Sequence, residues 1–177
     1  MIKCILILII ASNILNAKWY VTIEEDEMVG TKSCNAISEK VFSTKPMDFP
    51  YKNTQSYMVY TITEKGGESF AFKFTKGPNI VDEGYRKGQR YANRRVKFDD
   101  SIKRYEMFRE RAGKEIFVDI YFLGKDYLPN MKKSSTLLTE FKWYRQGLVY
   151  FKHDISGFND AYTQARQKCL KWYKRNK

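Results

Sequence analysis

The chain has 177 residues and a formal net charge of +12 at pH 7, with 32 lysines and arginines, 20 acidic residues and one histidine. The length suits one domain with a hydrophobic core. The charge favours anionic partners, through an attraction that weakens as salt increases. A single histidine excludes a two-histidine catalytic site, and with oxidised cysteines it leaves no zinc ligand set at the usual spacings. We expect neither a metal nor a cofactor.

The first 17 residues, MIKCILILIIASNILNA, predict a secretory signal peptide. Lys3 precedes an apolar run from Cys4 to Ala11, and the segment ends in polar and small residues at Ala17. The apolar run is shorter than the ~20 residues that span a membrane, so a retained anchor is the less favoured alternative. We expect a secreted, extracellular domain at residues 18–177, with a net charge of +11 after the loss of Lys3.

Cleavage would also remove Cys4 and leave two cysteines, Cys34 and Cys169. In an oxidising compartment these are expected to pair. A bridge that closes so long a loop stabilises the fold by ~4 to 5 kcal/mol in the chain-entropy model. The alternative is a pair of free buried thiols, which is typical of cytosolic proteins.

Apolar residues alternate with polar ones through most of the chain, which predicts strands. Three segments predict hairpins: SYMVYTITEKGGESFAFKFTK with a turn at EKGG, SIKRYEMFRERAGKEIFVDIYFLG with a turn at RAGK, and STLLTEFKWYRQGLVYFKHDI with a turn at RQG. Shorter strands are predicted in KWYVTIEE and AISEKVF. The expected fold is mainly β, an antiparallel β-barrel or sandwich of about eight strands.

The C-terminal segment predicts one α-helix over residues 157–175. Its apolar residues share one helical stripe: Phe158, Tyr162, Ala165, Cys169 and Trp172. Ser156 is a candidate N-cap residue. We expect the stripe to pack on the sheet, with the bridge from Cys169 to Cys34 holding the helix in place.

Two segments without acidic residues carry the candidate binding site. The first, GYRKGQRYANRRVK, is interpreted as an exposed loop, and its basic residues are Arg86, Lys87, Arg90, Arg94, Arg95 and Lys97. The second is the helix end, with candidate residues Arg166, Lys171, Lys174 and Arg175. Such side chains bind phosphate or sulfate groups, and interleaved tyrosines stack on a base or a sugar. The alternative is two ordinary solvated faces.

These observations favour a secreted, non-enzymatic binding protein. Its basic surface would engage an anionic partner, namely an acidic protein, a sulfated glycan, nucleic acid or an anionic membrane. Such a protein would act outside its source cell, as an effector on a host or a neighbouring cell. Whether the two basic segments form one patch is left open by the sequence.

A plan of eight strands and a C-terminal helix resembles that of the lipocalins. KWYV, with Trp19, is similar to their first-strand tryptophan motif, although Ala17 stands where that motif has a glycine. The resemblance implies a small apolar or amine ligand held in the mouth of a β-barrel.

A third alternative is a secreted toxin or hydrolase that uses carboxylates, as glycosidases do. The one histidine, His153, is interpreted as an ordinary strand residue. Asp154 follows it directly, and adjacent strand residues face opposite sides of a sheet. Asp154 is therefore badly placed to orient the imidazole, and no Gly-x-Ser-x-Gly motif accompanies it.

Overall fold

A computed structural model describes residues 19–26, 28, 30–110, 113–118 and 123–175, with the side chains of 26, 110 and 171–175 excepted. The predicted signal peptide lies outside these residues. The described chain forms one antiparallel sheet, a π-helical turn at Leu123–Tyr127 and two α-helices. The strands are β1 Trp19–Asp26, β2 Thr31–Ser38, β3 Val41–Phe42, β4 Gln55–Thr63, β5 Glu68–Phe74, β6 Gly84–Arg86, β7 Gln89–Phe98, β8 Ser101–Glu110, β9 Glu115–Val118, β10 Thr136–Trp143 and β11 Gly147–Asp154. The helices are α1 Leu128–Lys133 and α2 Phe158–Arg175.

The strands follow the order β1-β2-β4-β5-β9-β8-β7-β10-β11, with β3 paired to β4 and β6 paired to β7. Since β1 and β11 are the ends of this path, the sheet is not closed, and the barrel alternative is wrong. The chain after β3 touches β11 through one bridge, Ser43 to Phe151, and one hydrogen bond from the Thr44 N–H to the Tyr150 carbonyl. These two contacts do not form a β-ladder between β3 and β11 that would close the sheet, and β3 itself has only two residues.

The sheet folds over so that distant strands face each other across an aromatic core. The ring of Phe72 in β5 lies 5.7 Å from that of Phe141 in β10, and Phe74 lies 5.5 Å from both Phe141 and Phe151. These rings are almost fully buried. The arrangement is sandwich-like, as the mainly β prediction allowed, but it is built from eleven described strands and not from about eight.

The three predicted hairpins are confirmed as β4–β5, β8–β9 and β10–β11. In the first, Met58 lies opposite Phe72, and the EKGG turn contains Gly66 at a φ of 83°, where a side chain would be strained. In the second, part of the predicted turn and of the second arm, at 111–112 and 119–122, lies outside the described residues.

The basic segment from Gly84 to Lys97 is a hairpin, so the prediction of an exposed loop is wrong. β6 and β7 are joined by a tight turn at Lys87 and Gly88, both with positive φ. Along β7 the buried residues Arg94, Val96 and Phe98 alternate with more exposed neighbours. The alternation is hard to see in the sequence because an arginine occupies one of the buried positions.

Helix α2 packs on β1, β2 and β4, and the stripe residues from Phe158 to Cys169 are buried, whereas the side chain of Trp172 lies outside the description. The ring of Phe158 lies 5.0 Å from Trp19 and 5.7 Å from Tyr60. The predicted disulfide is present between Cys34 in β2 and Cys169 in α2. The helix begins at Phe158, one residue later than predicted, after a Gly157 with a φ of 82°.

The π-helical turn and α1 were not predicted. Tyr127, at their junction, is fully buried, and its ring lies 4.9 Å from the rings of Phe70 and Tyr105 and 5.2 Å from that of Phe98. These elements therefore complete the core between β5, β7 and β8.

Candidate functional site

Most of the predicted basic residues are paired with carboxylates of the same chain. The distances between nitrogen and oxygen are 2.7 Å for Arg86–Glu106, 3.5 Å for Arg90–Glu83, 2.9 Å for Arg94–Asp82, 2.6 Å for Arg95–Glu140 and 3.4 Å for Lys97–Asp100. Lys87 is exposed in the turn. The charge that the sequence assigns to this segment is thus largely balanced within the fold.

Two acidic residues next to the segment bind the buried arginines Arg94 in β7 and Arg109 in β8. Asp82 binds Arg94, while Glu83 binds Arg109 through two hydrogen bonds of 2.9 Å and also approaches Arg90. The N–H of Val81 donates to the backbone of β10, which fixes the acidic residues in place. Sequence reasoning missed this network, although Asp82 and Glu83 directly precede the acid-free segment.

The second basic segment lies elsewhere in the molecule. Arg166 of α2 is 3.3 Å from Glu68 and donates to the hydroxyl of Tyr162 at 2.7 Å. Lys171, Lys174 and Arg175 belong to α2, but their side chains are outside the description. Because α2 packs on β1, β2, β4 and α1, whereas the segment from Gly84 to Lys97 pairs with β8 and β10, the two segments occupy different parts of the sheet.

A basic surface does exist on the outside of β7, β8, β10 and β11. We call it the basic outer face, and its cations are Arg95, Lys97, Arg104, Lys142 and Lys152. Each alternates along its strand with a buried residue, so all five point away from the core. In the described part of the chain, no carboxylate lies within 4 Å of the side-chain nitrogens of Arg104, Lys142 or Lys152.

A shallow groove of about 140 Å³ crosses this face. Its lining is part apolar and part charged: Arg95, Lys97, Ile102, Leu138, Glu140 and Tyr150. The groove is smaller than the ~300 to 1,000 Å³ of typical small-molecule pockets. It suits contact with the edge of a larger partner better than the enclosure of a free ligand.

The inner face holds a different set of residues, buried polar side chains without a partner. We call Ser56, Thr139, Trp143 and His153 the inner polar set. The Ser56 and Thr139 hydroxyls, the Trp143 indole N–H and both ring nitrogens of His153 make no hydrogen bond among the described residues. All four residues are at most 1% exposed. Over 90% of buried polar groups in proteins are normally satisfied, so these four residues need an explanation, as do Trp19, Thr22 and Tyr127, which also have a buried polar atom without a partner in the described chain.

The inner polar set surrounds the aromatic core. Ser56 lies opposite Phe74 on β4 and β5, and Thr139 lies opposite Phe151 on β10 and β11. The His153 ring is 6.1 Å from the ring of Phe72, and the Trp143 ring is 5.7 Å from that of Phe74. The same region therefore combines aromatic surface with several unused donors and acceptors.

The imidazole of His153 is uncharged at physiological pH. Burial lowers its pKa to about 3, because the charged form would lose its hydration. A neutral imidazole offers one N–H donor and one acceptor nitrogen. Asp154 lies on the other face of β11, as predicted, and accepts a hydrogen bond from the Ser156 N–H.

The described residues include two carboxylates with shifted pKa values, Asp99 and Asp126. No group of three or more histidine, cysteine, aspartate or glutamate side chains there could hold a metal ion. The Thr136 N–H lowers the pKa of Asp99, and Lys103 lowers that of Asp126, which is opposite to the shift of a general acid. No described helix is long and apolar enough to cross a membrane.

No protein-family model matches the chain, and neither a curated protein nor a solved structure resembles it significantly.

Proposed function

We propose that the protein is a non-enzymatic binding protein that holds a small, uncharged ligand against the inner polar set. The observation that carries the proposal is His153, which is 1% exposed and has no partner for either ring nitrogen. The proposal retains the idea of a small-ligand carrier that the sequence suggested. It places the ligand on the inner face of a folded-over sheet and not in the mouth of a barrel.

The argument rests on the cost of burying polar groups. A buried donor or acceptor without a partner costs about 1 to 3 kcal/mol, whereas an apolar residue of similar shape avoids that cost. Four such residues around one aromatic core weaken the fold unless something satisfies them. A small ligand beside Thr139 and His153 would do so, and its entry requires the core rings to move apart, because none of the described pockets is lined by these residues.

The same residues indicate the chemistry of the ligand. The ligand needs an acceptor for the indole N–H of Trp143, together with a donor and an acceptor for His153. The rings of Phe72 and Phe74 favour an aromatic or aliphatic frame. An amine cation would meet no carboxylate within the inner polar set. Of the apolar or amine ligand implied by the lipocalin resemblance, we therefore favour a neutral one.

The test uses 2-naphthol, an uncharged aromatic probe whose hydroxyl both donates and accepts a hydrogen bond and whose neutral-form fluorescence rises in apolar surroundings. Titration of the oxidised protein is expected to saturate at one site. His153→Leu and Thr139→Val should each weaken binding about 3- to 10-fold, since each removes one hydrogen-bonding partner worth about 0.5 to 1.5 kcal/mol net.

The matched control is Thr31→Val, the same substitution at an exposed residue at the start of β2. It should leave the titration unchanged. Ordered water would satisfy the inner polar set equally well and predicts no saturable signal in the unsubstituted protein. That result, or equal effects of Thr139→Val and Thr31→Val, would contradict the proposal.

The anionic partner expected from the sequence is a second candidate function. The observation that favours it is the set of exposed cations without carboxylate partners, Arg104, Lys142 and Lys152, on the basic outer face. Of the ten residues expected to bind the anion, Arg95 and Lys97 belong to this face. Binding there and binding on the inner face do not exclude each other.

A further inference from the structure

We propose that the basic outer face binds a sulfated polysaccharide, with the polymer lying across β8, β7, β10 and β11. The inference deepens the second candidate function, since it names the partner and the residues, and it is independent of the inner ligand. The chemistry that would be recognised is a linear chain of sugar rings with repeated sulfate groups.

Strand pairing fixes four of the five cations in two rows across the sheet, while Lys142 lies opposite Leu148 outside these rows. One row runs from Ile102 to Lys97 to Leu138 to Lys152, each residue paired with the next on the neighbouring strand. Neighbouring strands are about 4.8 Å apart, so Lys97 and Lys152, two strands apart, are separated by roughly 10 Å at their backbones. A rigid sheet thus presents positive charge at fixed intervals along one direction.

The second row contains an unfavourable pair. Arg95 in β7 lies directly opposite Arg104 in β8, and like charges in such positions destabilise a sheet. Arg95 is satisfied by Glu140, which accepts its Nε and Nη2 hydrogen bonds at 2.6 Å each. Arg104 is exposed and no carboxylate binds it in the described chain. A sulfate group beside Arg104 would relieve the repulsion and accept its N–H groups bidentately.

The groove between the rows favours a sugar polymer over a membrane. Leu138 and Tyr150 are half-buried and line the groove between the cations, so the apolar surface there is recessed. Exposed apolar side chains lie at Ile102 in β8, at one end of a row, and at Leu148 in β11, and not between the cations of the rows. A tyrosine ring and a leucine side chain in that position suit the apolar face of a sugar ring. A membrane surface needs apolar side chains that protrude beyond the charged ones and enter the headgroup region.

The experiment measures retention of the full, oxidised protein on immobilised heparin across a salt series. The face variant combines Arg104→Gln, Lys142→Gln and Lys152→Gln. The matched control combines Lys65→Gln, Lys114→Gln and Lys168→Gln, which removes the same charge from exposed residues on other surfaces. Circular dichroism and thermal unfolding check that both triple variants are folded.

We expect the dependence of log K on log salt concentration to become shallower by about 2 to 3 in the face variant, roughly one for each lost contact. The control should keep the original slope, and desulfated heparin should not compete. Equal losses in the two triple variants would overturn the proposal, because net charge would then explain the binding. Binding to phosphatidylserine vesicles without binding to heparin would also overturn it.

Discussion

Arg109 and Glu83 form a buried ion pair with two hydrogen bonds of 2.9 Å between guanidinium and carboxylate. The side chains are only 5% and 7% exposed. The pair joins β8 to the segment just before β6, and Glu83 also approaches Arg90 at 3.5 Å. Because Arg90 and Arg109 lie opposite each other on β7 and β8, the one carboxylate offsets a repulsion between two arginines.

Glu83→Gln should therefore destabilise the protein by about 3 to 5 kcal/mol, since it removes the carboxylate charge that binds the buried Arg109 guanidinium. Urea unfolding of the oxidised protein measures the change. Glu115→Gln is the control, because Glu115 pairs with Lys73 and both side chains are about one-third exposed. Such an exposed pair contributes about 0 to 1 kcal/mol. Similar losses in the two variants would show that Arg109 is not held by Glu83.

Arg94 and Lys87 carry the same charge but should differ in their effect on stability. Arg94 is 5% exposed and bound to Asp82, whereas Lys87 lies in the exposed β6–β7 turn. Arg94→Ser removes packing and leaves a gap beside Asp82, so we expect a loss of about 2 to 4 kcal/mol. Lys87→Ser should change the unfolding free energy by less than about 0.5 kcal/mol. Equal effects would contradict the burial of Arg94.

The disulfide should contribute to stability on the same scale as the buried Arg109–Glu83 pair. Cys34 and Cys169 are 135 residues apart, and the chain-entropy model gives about 5 kcal/mol for so long a loop. The double variant Cys34→Ser, Cys169→Ser should lose about 2 to 5 kcal/mol in thermal or urea unfolding. Its packing at the Phe158 end of α2 should survive, since that contact with Trp19 does not involve the bridge. A double variant as stable as the oxidised protein would contradict this contribution.

Local patterns were enough to predict the hairpins and the helix. The alternation of Phe70, Phe72 and Phe74 places their side chains on one face regardless of the rest of the fold, and the stripe through Phe158 and Cys169 has helical spacing. Whether the sheet closes into a barrel depends on pairing between strands that are far apart in sequence, such as the bridge between Ser43 and Phe151. The local periodicity of apolar residues does not predict such long-range pairing.

The basic segment shows why the site was harder to predict. A count of basic residues takes no account of their partners. Asp82 neutralises Arg94, and Glu140, which is 45 residues from Arg95 in the sequence, neutralises Arg95. Such pairs exist only after the strands have paired. The unpaired state of His153 is likewise a property of its buried neighbours, and its sequence context supported an ordinary strand residue.

His153 should make stability depend on pH between about 4.5 and 7. Its pKa is about 3 in the folded protein and 6.5 for an ordinary histidine, so below pH 6.5 the unfolded chain binds a proton that the native state does not. Stability therefore falls as the pH falls, by up to about 1.4 kcal/mol per pH unit. The lowered pKa values of Asp99 and Asp126 contribute stability that is lost mainly below pH 4, outside this window.

His153→Leu isolates this contribution, because it removes the titrating group and two unsatisfied nitrogens together. At pH 7 the ligand-free variant should be at least as stable as the unsubstituted protein, since an apolar side chain has no hydrogen bonds to lose. Between pH 7 and 4.5 the unsubstituted protein should lose about 2 to 3 kcal/mol relative to the variant, measured by urea unfolding at each pH. Parallel curves would mean that His153 binds its proton equally in both states, and the buried, neutral imidazole on which the inner ligand site depends would then be wrong.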